Sequence, residues 1–227
     1  RGVPVRFTWT NSLLEEKHIY DTYCNLIMKE ADNGMNQVLV NRSVLEEYIR
    51  RQYPGFKLIS STTKRITGLD GLLEELNKDY FLVVLDYDLN HNEEVLSAIG
   101  KQADKVEILV NEICYPGCPK RSEHYRQQSQ MQLEYDIDAA FPCPNKTRER
   151  KFEECKERPS FISREQIREY VDRGFVNFKI VGRGMPMDFV KESYLYYLVK
   201  DDSRAFIRNK MDSTLNQFAQ AMRKRKA

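Results

Sequence analysis

The stretch SREQIREYVDRGFVNFKIVGRGMPMDFVKESYLYYLVK, residues 163–200, holds one complete helix–strand–helix unit and sets the reading of the whole chain. Ser163 to Asp172 has a helical period. Phe175 to Val181 is a short, largely apolar strand. From Pro186 a second helix runs to about Lys200, with proline at its start, where a missing N–H costs nothing. Tyr194, Tyr196 and Tyr197 crowd this second helix, and the expectation is that they pack against a sheet.

Working outward, the same alternation recurs towards the amino end. Strands are expected at Val5–Thr10, Gln37–Val40, Phe56–Ser60, Phe81–Leu85 and Val106–Val110. Between them, helices are expected at Ser12–Ala31, Ser43–Tyr53, Leu69–Asn77 and Glu93–Gly100, with Asn11 as a helix cap or mouth residue. Residues from about Pro116 to Ser160 read as one long irregular stretch. Short apolar strands separated by helices mark a parallel sheet covered by helices. A doubly wound nucleotide-binding sheet would carry a glycine-rich phosphate loop after an early strand, and VGRGMP at 181–186 has the wrong spacing and position for one. The expectation is an α/β protein, a TIM-like (β/α) barrel that lacks its first one or two units in this chain. The barrel would occupy residues 1–200, with a cysteine-rich insertion at about 114–160 and a helical extension with a basic tail over 201–227.

Charge excludes little and implies little. The chain has 36 basic and 34 acidic residues, so nothing in the balance calls for nucleic acid or an anionic surface as partner. No run of 18 apolar residues is long enough to cross a bilayer. Five cysteines without secretory features favour a reducing, cytoplasmic setting, with metal or redox use ahead of a disulfide framework.

Four of the five cysteines sit in the long loop. Cys114 and Cys118 follow the apolar run at 106–110, 24 residues separate Cys118 from Cys143, and 11 separate Cys143 from Cys155. Four thiolates suit a tetrahedral zinc or a [4Fe–4S] cluster. The dense pairs of zinc ribbons are absent, which favours the cluster, with zinc the alternative. Cys114 follows directly on a parallel strand, and the carboxyl ends of barrel strands are the usual face for chemistry. A loop this long is abnormal between a strand and a helix unless something orders it. Gly117 would let the chain fold back around a bulky centre. Cys24, in the first helix, reads as a small buried thiol.

Three segments carry a family resemblance. FISREQIREYVDRGFVNFKIVGRGMPMDFVKESYLYYLV, at 161–199, resembles the end of the barrel in the peptidase U32 (collagenase-like protease) family. VEILVNEICYPGC resembles the strand that ends at that family's first cluster cysteine, and NQVLVNRSVLEEYIRRQYPGFKLISST its middle units. The resemblance covers roughly residues 1–200. It implies a TIM-like barrel with a [4Fe–4S] cluster on Cys114, Cys118, Cys143 and Cys155. It also implies either oxygen-independent hydroxylation of a ring or nucleobase, or a poorly defined protease activity. This chain departs from the pattern in the wide gap between Cys118 and Cys143 and at three residues. Val181 replaces a carboxylate, Gly184 a methionine, and Asn111 stands where the family has histidine.

Around the cysteines, His124 is a candidate proton carrier and Tyr125 its neighbour. Arg121 and Lys120 are candidates to attract an anion or balance cluster charge. Lys179 and Arg183 flank the last strand at positions the family retains, and Arg183 suits bidentate binding of a carboxylate. Glu112 lies beside the first cysteine. Asp86 and Asp88 are either a carboxylate pair for a proton or divalent ion, or loop caps. No serine or cysteine has an identifiable base, and HExxH is absent. The function expected is therefore an iron–sulfur redox enzyme acting on a small organic or nucleobase substrate, with a redox or accessory protein as partner. The alternatives are a noncatalytic partner-binding barrel with a structural metal centre, and a metal-dependent peptidase.

Overall fold

The computed structural model describes residues 2–134, 141–143 and 150–226. Six strands form one sheet: β1 (Arg6–Trp9), β2 (Gln37–Val40), β3 (Lys57–Ser60), β4 (Leu82–Val84), β5 (Val106–Leu109) and β6 (Asn177–Lys179). Every neighbouring pair is parallel, and the spatial order is the chain order. A doubly wound sheet reverses its order at a switch point. Strict succession instead puts every crossover on one face, because such crossovers are right-handed. The helices α1 (Thr22–Ala31), α2 (Ser43–Gln52), α3 (Leu69–Asn77) and α4 (Glu93–Ile99) fill the first four crossovers.

Side chains alternate with period two across this sheet. Val38, Val40, Leu58, Val83, Val106 and Ile108 face the helices. They form one core with Leu45 and Ile49 of α2, Leu72 and Leu76 of α3, and Val95 and Ile99 of α4. The other face carries Leu39, Ile59, Leu82, Val84 and Leu109 as a second apolar layer that Val181 joins. Full burial of such side chains is worth roughly 1.5–3 kcal/mol each, which is why these short segments hold as strands.

The sheet is curled into a half-barrel, and one contact measures the curl. In a flat sheet β1 and β5 would lie about 19 Å apart, four spacings of roughly 4.8 Å. Yet Arg6 of β1 donates to both carboxylate oxygens of Glu107 of β5, at 2.6 and 2.7 Å. The architecture is α/β, consistent with part of a TIM-like barrel.

The connection from β5 to β6 differs from expectation. It contains α5 (Arg121–Glu134), α6 (Phe152–Lys156) and α7 (Arg164–Asp172), so residues 116–160 are not uniformly irregular. The expected helix over Ser12–Ala31 is also shorter. It begins at Thr22, where the Asp21 carboxylate accepts from the Cys24 amide, and only a single 3-10 turn at Glu16–His18 precedes it. Ser163 and Gln166 form a reciprocal cap on α7. Gly174 then takes a left-handed φ of 94°, which turns the chain into β6.

After β6, α8 (Met187–Leu198) packs back on the barrel, and α9 (Arg204–Lys226) follows. Tyr197 donates to the carbonyls of Val110 and Ile162, and Tyr196 packs on Phe152 and Phe161. Tyr194 faces α9 instead, against the expectation of sheet packing. Arg208–Glu192 and Lys191–Asp212, at 2.6 and 2.7 Å, tie α9 to α8. No described helix is long and apolar enough to cross a membrane.

Candidate functional site at the carboxyl ends of the strands

The loops after β1, β3, β5 and β6 converge at one rim of the half-barrel. There α5 lies across the opening. Asn11, after β1, donates to the Ser129 carbonyl at 2.7 Å, and the Ser12 amide donates to Ser129 Oγ at 3.1 Å. Asn11 therefore caps its own turn, through the Leu13 amide, and fastens α5 rather than opening a helix. Under α5 lies a cavity of about 640 Å³ lined in part by Thr8, Trp9, Thr63, Tyr125 and Arg183.

On the other side of α5 is the cysteine loop. Cys114, Cys118 and Cys143 line one small cavity of about 20 Å³ together with His124, Arg121 and Phe141. That is room for about one water. Cys155 lies apart on α6, fully buried, its thiol 3.6 Å from the Glu112 carbonyl oxygen. All five cysteines are free thiols. Burial and then the Glu112 charge push the Cys114 thiol up to about 12, and the same two causes do so for Cys155. Gly117 has a φ of 66°, the left-handed turn that folds the loop back between its first two thiols.

Three anchors hold this loop. Glu112 Oε1 accepts from the amides of Ile113 and Cys114 at 2.9 and 3.0 Å. Burial raises the Glu112 carboxyl, and those two amides oppose the rise. Asp88 accepts from the Gly117 amide at 2.9 Å. Arg121, almost wholly buried, pairs with Asp88 and at 3.4 Å with Asp86, and lies 3.9 Å over the Tyr87 ring. Arg65 completes the set, 2.8 Å from Asp86. Asp86 also accepts from the Asp88 amide. These carboxylates are thus loop caps and partners for two arginines, and the carboxylate-pair reading fails. Arg121 is committed to them as well, so it is not available to attract an anion.

His124 is half-buried on α5 and stacks on Phe141, the rings 4.5 Å apart and 7° from parallel. Burial and the Arg150 charge lower its pKa, which keeps the imidazole neutral near pH 7. Among the described residues no hydrogen bond joins it to a thiol. Lys179 points to the concave face, 3.9 Å from Glu107. Burial lowers its pKa; Glu107 opposes that and Arg6 adds to it. Asn111, in the place of a family histidine, is fully buried. It exchanges hydrogen bonds with the Val181 backbone at 2.6 and 3.0 Å and donates to Ser193 at 3.1 Å. It is a staple between the ends of β5 and β6, and Val181 beside it fills the inner apolar layer.

The four thiols are therefore only partly gathered. Among the described residues no group of three or more His, Cys, Asp or Glu side chains is arranged to hold a metal ion. One observation still bears on fit. The Tyr87 hydroxyl is buried without a well-formed hydrogen bond among the described residues, and it lies close enough to Cys114 and Tyr125 to oppose the rise that burial gives both of their pKa values. A buried phenol without an acceptor is costly, and a Cys114 thiolate would supply one. Thiols are the right donor type for such a centre, but the shared cavity holds about one water and Cys155 stands outside it. Sequence reasoning missed Trp9 as a cavity residue and the Arg6–Glu107 bridge. Its one signal was Glu107, a lone charge inside the apolar run VEIL.

Fold and loop together define a curled parallel α/β half-barrel with a thiol-lined loop at its carboxyl rim. Among curated proteins the chain is similar to one of Methanocaldococcus jannaschii described as an uncharacterized protease. The two are 27% identical over 184 residues, covering 78% of this chain and 54% of that protein. The chain thus spans about half the length of the curated relative it matches. No family model matches the chain, and no solved structure matches it.

Proposed function

We propose that this chain is an iron–sulfur protein built on part of a TIM-like barrel, carrying out a redox step on a small organic or nucleobase substrate at the barrel mouth. The observation that carries the reading is that Cys114, Cys118 and Cys143 line one cavity at the carboxyl end of β5. Cys155 is the proposed fourth ligand, linked to Cys114 through Glu112. A [4Fe–4S] cluster, when bound, supplies electron transfer. The remaining roles belong to the chain's own side chains. Glu112 and the Arg121–Asp88 pair fix the loop that presents the thiols. Tyr87 would donate to Cys114. Tyr125 of α5 stands between the thiol loop and the mouth cavity, and Arg183 reaches into that cavity. His124, neutral at pH 7, is the proposed proton carrier, with Lys179 on the inner face as a second titratable group.

Anaerobic purification followed by iron and sulfide analysis tests this. About four irons and four sulfides per chain are expected, with loss of most of both in Cys114→Ser, Cys118→Ser, Cys143→Ser and Cys155→Ser. Stoichiometric zinc without sulfide in a folded protein would overturn the reading.

The name of the curated relative favours a second reading, a peptidase. Against it, no thiol of the described residues has a histidine in hydrogen-bond contact, as an activated nucleophile requires. Incubation of the metal-replete protein with a mixed peptide library decides the matter. Cleavage that survives all four cysteine substitutions would favour the peptidase.

A further inference from the structure

We infer that the mouth cavity binds an anion, a carboxylate or phosphate group carried on an otherwise uncharged molecule, with Arg183 as its recognition residue. The inference rests on taking the rim as the reactive face, and it deepens that proposal by naming the class of substrate. The first argument is charge. Among the described residues lining the cavity of about 640 Å³, Arg183 is the single charged side chain, and no carboxylate lines it. Arg183 makes no ion pair or hydrogen bond among the described residues, unlike Arg6, Arg65 and Arg121 of the same half-barrel. A guanidinium free of protein carboxylates offers its planar fork of donors to a carboxylate or phosphate.

The second argument is the rest of the wall. The side chains of Thr8, Thr10 and Gln128 line the cavity without a hydrogen-bond partner among the described residues, so neutral donors and acceptors surround the cation. Trp9, Tyr125 and Met131 add apolar surface. Such a wall rejects a second charge and accepts a flat or apolar body with a few polar groups. The volume lies in the range that holds small organic ligands, roughly 300–1,000 Å³. By contrast, the neighbouring cavity over α5 mixes Glu15 and Glu134 with Lys17 and Arg42 and has no sign preference.

Trp9 makes the inference measurable, since it is the only tryptophan of the chain. The anaerobically prepared full chain is titrated with benzoate, phenyl phosphate and the neutral benzamide, reading Trp9 emission, with calorimetry on the same samples for binding that leaves emission unchanged. At least one of the two anions is expected to bind saturably, at least tenfold more tightly than benzamide, and the preferred one identifies the anionic group. Arg183→Gln should weaken that anion at least tenfold, and Arg183→Lys should restore part of the loss. Arg173→Gln, an outer ion-pair residue, should change nothing. Equal binding of benzamide, no saturable binding of either anion, or an Arg183→Gln protein that binds like the parent would overturn the inference. Iron and sulfide measured on the same samples separate the two proposals: anion binding without iron sinks only the cluster, and iron without anion preference sinks only this inference.

Discussion

Two polar clusters of this protein lie near the carboxyl ends of its strands, and they differ in completeness. Behind β3, Lys64 pairs with Glu46 at 2.6 Å and with Glu75 at 2.7 Å and also donates to the Tyr80 hydroxyl; Ser60 and Lys78 donate to Glu75. Both oxygens of Glu75 are occupied. After β5, three thiols and a histidine share a cavity with no hydrogen bond between them among the described residues, beside a buried phenol that has no well-formed one. The first arrangement is finished by the protein itself and reads as architecture. The second is left incomplete by the described residues, and the proposed cluster would complete it.

The largest expected effect falls on the finished cluster. Glu75→Ala leaves Lys64 with Glu46 alone, takes the acceptor from Ser60 and Lys78, and should cost about 3 kcal/mol in urea denaturation. A near-neutral result would break the comparison at its root. Acid tests the same group. Burial raises the Glu75 carboxyl, but hydrogen bonds from Lys64, Lys78 and Ser60 outweigh that and hold it at about 2, below its ordinary 4.5. A depressed carboxyl contributes stability that is complete above 4.5 and lost as pH falls through about 2. Roughly 3 kcal/mol should vanish across that window, and the fall should be shallower in Glu75→Gln.

Next in size is Arg121→Leu, expected to cost about 2–3 kcal/mol by leaving Asp86 and Asp88 with Arg65 alone. Limited proteolysis should then cut between residues 111 and 160 before anywhere else. Lys179→Met should shift stability by less than about 1 kcal/mol, because both oxygens of Glu107 still accept from Arg6. Smallest of all, Cys24→Ser should leave iron content unchanged, which sharpens the contrast between the loop thiols and a bystander in α1.

How much of this was legible in the sequence follows the same division. The bounds of β2 and α3 could be read to the residue, since apolar periodicity is strong wherever a segment faces the helix-side core. The helix α5 was not legible. Its apolar residues form no stripe, because it lies over a polar mouth and buries Arg121 and Ser129 instead of leucines. The segment before Thr22 misled for the opposite reason. Leu14 and Ile19 are buried from turns, so their spacing imitates a helix. Among site residues, the loop thiols were visible by count and spacing. That Asp86, Asp88 and Arg121 neutralise one another was not, because residues 33 and 35 apart in the chain meet only once β4 and β5 pair.

The bridge from Arg6 to Glu107 acts as a strut across the hollow of the bowl. It spans the lumen below the rim, so the width of the opening above is held by a rigid tie between the first and fifth staves. The same pair of charges lies across the floor of the bowl, below the helix that covers its upper lip.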